Sequence, residues 1–156
     1  MRGERHGGCR AGGVTLVELM IALAILGVLA GIALPSYTEY RDRVSVAQAV
    51  SDISGLHVAL QRYIDDNRQP PSSLAPIGAS AKLDPWGNGY VYLNLQAAGL
   101  AKARKNKNLV PINSQYDLYS KGKDGASTSP LTAASSRDDV ILANDGAFIG
   151  KASDYE

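Results

Sequence analysis

The chain of 156 residues has few of the residues that build most small catalytic and metal sites, with one cysteine and two histidines. A single cysteine, Cys9, excludes an intrachain disulfide and a cysteine-based zinc cluster. With only His6 and His57, and no HExxH pattern, a histidine-based catalytic triad has little material. A formal net charge of +1 excludes a strongly basic nucleic-acid binder and a strongly acidic tail.

Two further patterns fail on spacing. Gly146–Lys151 resembles a phosphate-binding loop, but its glycines lie too close together and Ala152 stands where Ser or Thr is required. The aspartates do not follow the spacing of an EF-hand. The chain is therefore predicted not to be an enzyme.

The chain does contain one long apolar run, residues 14–34, which follows a basic tail with Arg2, Arg5 and Arg10. As a helix this run is about 30 Å long, the thickness of a bilayer's hydrocarbon core. The basic tail predicts that the N-terminus stays in the cytoplasm while the rest of the chain crosses the membrane. No convincing A-x-A cleavage site follows the run, so residues 14–36 are predicted to remain as a transmembrane segment.

A single carboxylate, Glu18, interrupts the apolar run shortly after Gly13. A charged side chain at the centre of a spanning helix costs roughly 2.5–3.5 kcal/mol, and less near its end. Two interpretations follow. Either Glu18 marks the end of the helix in the headgroup region, or a cationic partner compensates its charge.

These residues carry a resemblance. The segment Gly13–Met20, GVTLVELM, resembles the class III signal of type IV pilins and pseudopilins. The resemblance implies that a membrane peptidase cuts after Gly13 and methylates the new N-terminal amine of Val14, although phenylalanine is usual at that first position. It also implies that Glu18 pairs with the N-terminal amine of a neighbouring subunit during filament assembly. Residues 1–13 would then be a cleaved leader, and the mature chain would lose Cys9.

Beyond the apolar run, residues 37–69 are predicted to form an amphipathic helix that ends at Gln69-Pro70-Pro71. Apolar side chains recur there at spacings of three and four, namely Val46, Val50, Ile53, Leu56, Leu60, Tyr63 and Ile64. A helix continuous from Val14 would be roughly 80 Å long. His57 lies on it and is interpreted as a structural side chain.

Residues 70–156 are predicted to form a globular head of loops and short strands, because short apolar runs alternate there with Gly, Pro, Asn and Ser. The clearest strands are expected at 89–95, 116–120 and 140–143. The basic stretch 98–108 is interpreted as solvated, and the long loop 121–137 needs something to order it. The predicted fold class is α+β, with the long N-terminal helix packed on a small antiparallel sheet.

Two head segments refine the resemblance. Leu83–Tyr90, LDPWGNGY, resembles the DPWG-x-x-Y signature of the major pseudopilin of type II secretion, and Tyr116–Gly125, YDLYSKGKDG, resembles its YDLYS-x-G-x-DG segment. In that family the loop after the DG pair binds calcium. The resemblance implies a calcium ion held by Asp124 and by Asp138 or Asp139, with Asp117 as a further candidate and Leu118 and Lys121 as carbonyl donors.

Two features depart from the family pattern at this loop. Ala126–Pro130, ASTSP, replaces the family's glycine-rich stretch, and the tail from Asn144 to Gly150 extends past the family's usual end. The alternative to calcium is that these aspartates are turn residues, a common role for aspartate.

The resemblance implies a filament subunit of a type II secretion pseudopilus, processed at the inner membrane with its head in the periplasm. Its partners would be further copies of itself, minor pseudopilins, the prepilin peptidase and methyltransferase, and the inner-membrane assembly platform, with no nucleic acid. One alternative is a major or minor subunit of a type IV pilus, serving adhesion, motility or DNA uptake. Another is a signal-anchored monomeric binding module.

Overall fold

The computed structural model describes residues 13–155, without the side chains of Ala33, Pro35 and Ser36. Residues 1–12 of the predicted leader, Cys9 among them, lie outside the described residues, whereas its last residue, Gly13, is described. The chain divides into two compact units, Met1–Tyr40 and Arg41–Glu156.

One long helix, α1 (Leu16–Asn67), contains the apolar run and the amphipathic segment, which confirms the predicted helix. Its backbone remains helical at Pro35. Within the second unit α1 buries one stripe at helical spacing, composed of Ala49, Ile53, Leu56 and Leu60. A stripe at this spacing lies on one face of a helix, so this part of α1 can bury its apolar side chains while its polar face meets water.

Four strands form an antiparallel sheet in the order β1-β2-β3-β4, namely β1 (Val91–Asn94), β2 (Tyr116–Ser120), β3 (Val140–Ala143) and β4 (Phe148–Lys151). Tyr92 pairs with Leu118, Tyr119 with Ile141, and Ile141 with Gly150. The predicted bounds of β2 and β3 are confirmed, β1 is shorter than predicted, and β4 was not predicted. The α+β fold class is confirmed.

Strand β3 is buried on both faces, which explains its uninterrupted apolar sequence. Val140 and Leu142 belong to the cluster that contains the α1 stripe, together with Tyr116 and Leu118 of β2. Ile141 and Ala143 belong to a second cluster with Ile112, Leu131 and Ala152. Because side chains alternate across a strand, one strand supplies both clusters.

The C-terminal tail adds the fourth strand to the sheet. Asn144, Asp145 and Gly146 have φ of 52°, 54° and 102°, a left-handed turn that Asn, Asp and Gly tolerate best. The turn reverses the chain, so that Phe148 pairs with Ala143 and Lys151 with Val140. The stretch Gly146–Lys151, which does not meet the spacing of a phosphate-binding loop, therefore forms part of the β3–β4 hairpin at the edge of the sheet.

The basic stretch is only partly solvated. It begins at the end of the short helix α2 (Leu95–Ala98) and contains a 3-10 turn at Leu100–Lys102. Lys102 is exposed, but Arg104 is 5% exposed. The prediction of a solvated segment is thus wrong for Arg104, whose charge is compensated inside the head.

Candidate functional site

The predicted cleavage bond, Gly13–Val14, precedes the first turn of α1. Gly13, Val14 and Thr15 have no regular secondary structure, and Val14 is 73% exposed. A Cβ built on Gly13 would meet nothing within 4 Å. A peptidase needs an accessible bond, and the exposed residues of this segment fit that requirement. Cleavage and methylation themselves stay predictions.

Glu18 lies in the first turn of α1. Its backbone N–H donates a hydrogen bond to the Thr15 hydroxyl at 3.2 Å, the first half of a capping box. A carboxylate at this end of a helix is favoured by the helix dipole. This geometry explains why the helix tolerates Glu18, and the pairing with a neighbouring subunit's amine stays a prediction.

The helix surface that follows Glu18 is apolar and uncovered. The helix is long and apolar enough to cross a membrane, and no part of its most apolar segment is buried. The exposed side chains within the first unit include Leu16, Val17, Leu19, Met20, Ile21, Leu23, Ile25, Leu26, Val28, Leu29, Ile32 and Leu34. A contiguous apolar surface of this size requires lipid or protein around it.

In the head, the two predicted motifs meet at Asp84. Its Oδ1 accepts hydrogen bonds from the backbone N–H groups of Trp86 at 3.1 Å and Asn88 at 2.8 Å, which closes the DPWG turn. Its Oδ2 accepts a hydrogen bond from the hydroxyl of Ser120, at the end of β2. Asn88 Nδ2 also donates to the Gly122 carbonyl at 3.2 Å. The DPWG turn therefore fixes the start of the loop after β2.

The same turn is joined to α1. Trp86 packs on the core cluster that contains the α1 stripe, as expected from its size. Gly87 has a φ of 92°. The Tyr90 hydroxyl donates to Asp52 Oδ2 at 3.0 Å, and Lys82 Nζ lies 3.1 Å from Asp52 Oδ1. Burial tends to raise the pKa of Asp52, but these bonds outweigh it and lower that pKa.

His57 has a structural environment, in agreement with its interpretation from the sequence. Its Nδ1 lies 2.7 Å from the Tyr116 hydroxyl in β2. A Cβ at Gly146 would lie 2.4 Å from His57 Nε2, so only glycine fits there. Burial lowers the pKa of His57, and the nearby charge of Asp145 partly opposes this effect.

Acidification is expected to destabilise the head through His57. Its pKa is lowered from 6.5 in the folded state, so folding favours the neutral ring. The stability that His57 contributes is fully present above pH 6.5 and is lost as the pH falls below that value and through the lowered pKa of the folded state. Thermal unfolding of the full chain against pH, compared with His57→Gln, measures this contribution. The advantage of the wild type should shrink below pH 6.5, and parallel profiles would contradict the assignment.

The predicted calcium ligands fall into two groups. Asp138 Oδ2 accepts the backbone N–H groups of Lys123 at 2.9 Å and Asp124 at 3.1 Å, and Asp124 Oδ1 accepts that of Ala126 at 2.8 Å. These two aspartates hold the turn after β2. The carbonyl candidates flank the end of that strand, since Leu118 lies in β2 and Lys121 follows it directly.

Asp117 and Asp139 form the second group and are fully buried. Asp117 accepts hydrogen bonds from the Arg104 backbone N–H at 2.6 Å and from Asn113 Nδ2 at 3.0 Å. Asp139 Oδ2 accepts from Arg104 Nη2 and from the Ser127 hydroxyl, both at 2.6 Å. Burial raises the pKa of Asp139 to about 6, although Ser127 and Arg104 oppose that shift.

This donor set does not fit a calcium ion. Calcium takes six to eight oxygen ligands, whereas each of these carboxylates already accepts at least one hydrogen bond from the protein. Among residues 13–155, no group of three or more His, Cys, Asp or Glu side chains could hold a metal. Calcium binding stays a prediction. No sequence pattern singles out the Arg104 guanidinium, because Arg104 lies within an ordinary run of basic residues.

Comparison with known proteins agrees with these features. Residues 9–34 match the family model of the prokaryotic N-terminal methylation motif. The type II secretion system core protein G of Escherichia coli K12 is 31% identical over 134 residues, which cover 72% of this chain and 82% of that protein. A fimbrial protein of Neisseria meningitidis is 30% identical over 142 residues, covering 85% and 79%.

A fimbrial protein of Pseudomonas aeruginosa is 45% identical over 64 residues, but this match covers only 41% of the chain and 42% of that protein. No solved structure matches the chain. The two longer matches extend well beyond the N-terminal motif and include the head. The chain therefore belongs to the superfamily of type IV pilins and pseudopilins.

Proposed function

We propose that this chain is a filament subunit that is cleaved after Gly13, methylated at Val14 and polymerised into the pseudopilus of a type II secretion system for protein export. It has no catalytic role and is instead the substrate of the prepilin peptidase and methyltransferase. Before assembly it waits in the inner membrane, with its N-terminus in the cytoplasm and its head in the periplasm.

One observation carries this proposal. An uncovered apolar helix begins within the methylation motif, with Glu18 in its first turn. A simple membrane anchor needs the apolar length but does not require a carboxylate there. A polymerisation surface uses both, because Glu18 can pair with the amine of Val14 in a neighbouring copy while the apolar side chains pack between subunits.

The head favours the pseudopilus. The DPWG turn and the YDLYS segment meet at the Asp84–Ser120 hydrogen bond, so the two motifs form one structural unit. The match to core protein G covers most of that protein, and the corresponding protein of Pseudomonas aeruginosa PAO1 is also 31% identical, with 84% of it covered. The implied partners are further copies of the chain, minor pseudopilins and the inner-membrane assembly platform.

A type IV pilus subunit is the second candidate, because two fimbrial proteins are among the relatives. The two functions differ in where the polymer lies. Filaments on the cell surface that depend on this chain would favour the pilus. A periplasmic polymer required for release of exported proteins would favour the pseudopilus.

Intact-mass spectrometry of the membrane-extracted protein tests the processing step. In cells with an active prepilin peptidase, the chain is expected to begin at Val14 and to carry one added methyl group. In cells that lack the peptidase, residues 1–13 should remain. A chain that retains its leader despite active peptidase would overturn the proposal and favour the signal-anchored monomer.

A further inference from the structure

Arg104 carries a buried positive charge in the head. It is 5% exposed and lies between α2 and β2, although its basic neighbour Lys102 faces solvent. Its guanidinium also lies over the Tyr119 ring, 4.5 Å from the centroid. Charged side chains are almost never buried to this degree unless they are paired. The partners of Arg104 therefore indicate what it does.

These partners come from separate parts of the long loop 121–137 and from its borders. Nη2 donates to Asp139, just before β3, at 2.6 Å. Nη1 donates to the Ser127 hydroxyl and, at 3.1 Å, to the Thr128 carbonyl, in the middle of the loop. The backbone N–H of Arg104 donates to Asp117 in β2. One residue thus joins the strand before the loop, the loop itself and the start of the strand after it.

Other contacts restrain the rest of the loop, since Asp138 holds the turn at Lys123 and Asp124 and Leu131 packs in the second core cluster, whereas the middle of the loop is held by a small set of side chains. Thr128 N donates to the Ser136 hydroxyl at 2.9 Å, and that hydroxyl in turn donates to the Thr128 carbonyl. Thr128 is therefore held from one side by Ser136 and from the other by Arg104. Ser127 is held likewise, because its hydroxyl donates to Asp139 Oδ2 at 2.6 Å. Removing the guanidinium would leave Asp139 as a buried charge without its cation.

We infer that the Arg104 guanidinium is the resident cation of this loop, and that it orders the loop without calcium. The ASTSP stretch, which departs from the family pattern, supplies the guanidinium with the Ser127 hydroxyl and the Thr128 carbonyl. A planar guanidinium with several donors suits such a mixed set of oxygens. A calcium ion bound to Asp139 would instead lie against a positive charge, which repels it.

Two buried atoms support this assignment. Arg104 Nε and Asp139 Oδ1 have no hydrogen-bond partner among the described residues. One is a donor and the other an acceptor, and both belong to the same ion pair. A calcium site would leave spare acceptors and no spare donor.

Hydrogen exchange of the full chain in detergent micelles tests the inference without any mutation. Exchange of the backbone amides of residues 121–139 is measured in excess EGTA and in excess calcium chloride. The wild type is expected to exchange at the same rate in both, within about twofold, because the loop is already ordered. Calcium that slows exchange by about tenfold or more would show a metal-ordered loop and overturn the inference.

The variant Arg104→Gln removes the cation and keeps a polar side chain. It is expected to speed exchange across 121–139 by at least about tenfold, because it leaves a buried carboxylate uncompensated. Lys102→Gln is the matched control from the same basic stretch, and it should stay within about twofold of the wild type because Lys102 is exposed. Unchanged exchange in Arg104→Gln would overturn the inference.

A poorly folded Arg104→Gln would not end the test. The double variant Arg104→Gln/Asp139→Asn also removes the uncompensated carboxylate. Its amides in 121–139 are expected to exchange at least about tenfold more slowly than those of Arg104→Gln. If the double variant exchanges as fast as Arg104→Gln, and calcium slows exchange in the wild type, then calcium orders the loop and the inference is overturned. The result is independent of filament assembly, which intact mass and microscopy report separately.

Discussion

Replacing Glu18 by alanine is expected to abolish filament formation while leaving cleavage after Gly13 intact. Under the proposed function, Glu18 compensates the N-terminal amine of a neighbouring subunit in an apolar environment. Leaving one partner of a buried ion pair uncompensated costs about 3–5 kcal/mol. At about 1.4 kcal/mol per tenfold, the association of subunits should weaken by more than a hundredfold. Negative-stain microscopy of cell fractions measures the polymer, and intact mass measures processing.

Asp66→Ala is the matched control for Glu18→Ala. Asp66 is an exposed carboxylate on the same helix, α1, but lies in its polar C-terminal part. Its replacement is expected to change neither filament yield nor processing. Wild-type filament levels in the Glu18 variant would contradict the polymerisation role and leave Glu18 as a helix cap. A processed Glu18 variant without filaments would separate assembly from cleavage.

Replacing Gly122 by alanine is expected to destabilise the head severely. Gly122 has a φ of 65°, and a Cβ there would lie 2.5 Å from the Asp138 carbonyl oxygen and 2.7 Å from its Oδ2. The left-handed conformation costs an alanine about 1–2 kcal/mol, and the overlap with fixed backbone adds about 1–3 kcal/mol. At about 2–4 °C per kcal/mol, Tm should fall by about 4 °C or more.

Gly78→Ala separates the two costs. Gly78 has nearly the same φ, 71°, but a Cβ there would meet nothing within 4 Å. This variant should lose only the conformational part, about 1–2 kcal/mol. Thermal unfolding of both variants in the full chain measures the difference. Equal Tm values would show that the Asp138 backbone moves away easily, and would contradict the close packing of this loop.

The pattern of apolar residues in the sequence predicted those parts of the fold that depend on interactions between residues close together in the chain. The spacing of Ile53, Leu56 and Leu60 predicted the helix and its buried face, because helical periodicity places these side chains together. The apolar runs YDLYS and VILA predicted β2 and β3 to the residue. The N-terminal motif likewise lies within a few consecutive residues, so Gly13, Val14 and Glu18 could be selected without a structure.

Only the tertiary structure decided how the tail and the loop are used. The tail becomes β4 because a left-handed turn at Asn144–Gly146 directs it back along β3, and a strand of four residues has too weak a local signal to predict this pairing. The loop aspartates suggested calcium by resemblance. Two of them, Asp117 and Asp139, instead contact Arg104, which comes from a basic stretch that the sequence pattern predicted to be solvent-exposed.

The physical reason is the distance along the chain. Arg104 meets Asp139 across 35 residues, and no local propensity records a contact of that separation. The sequence by itself determined the long helix, the cleavage motif and the membership of the superfamily. The tertiary structure determined which charges compensate one another inside the head, because only folding brings the donors and acceptors of distant segments together.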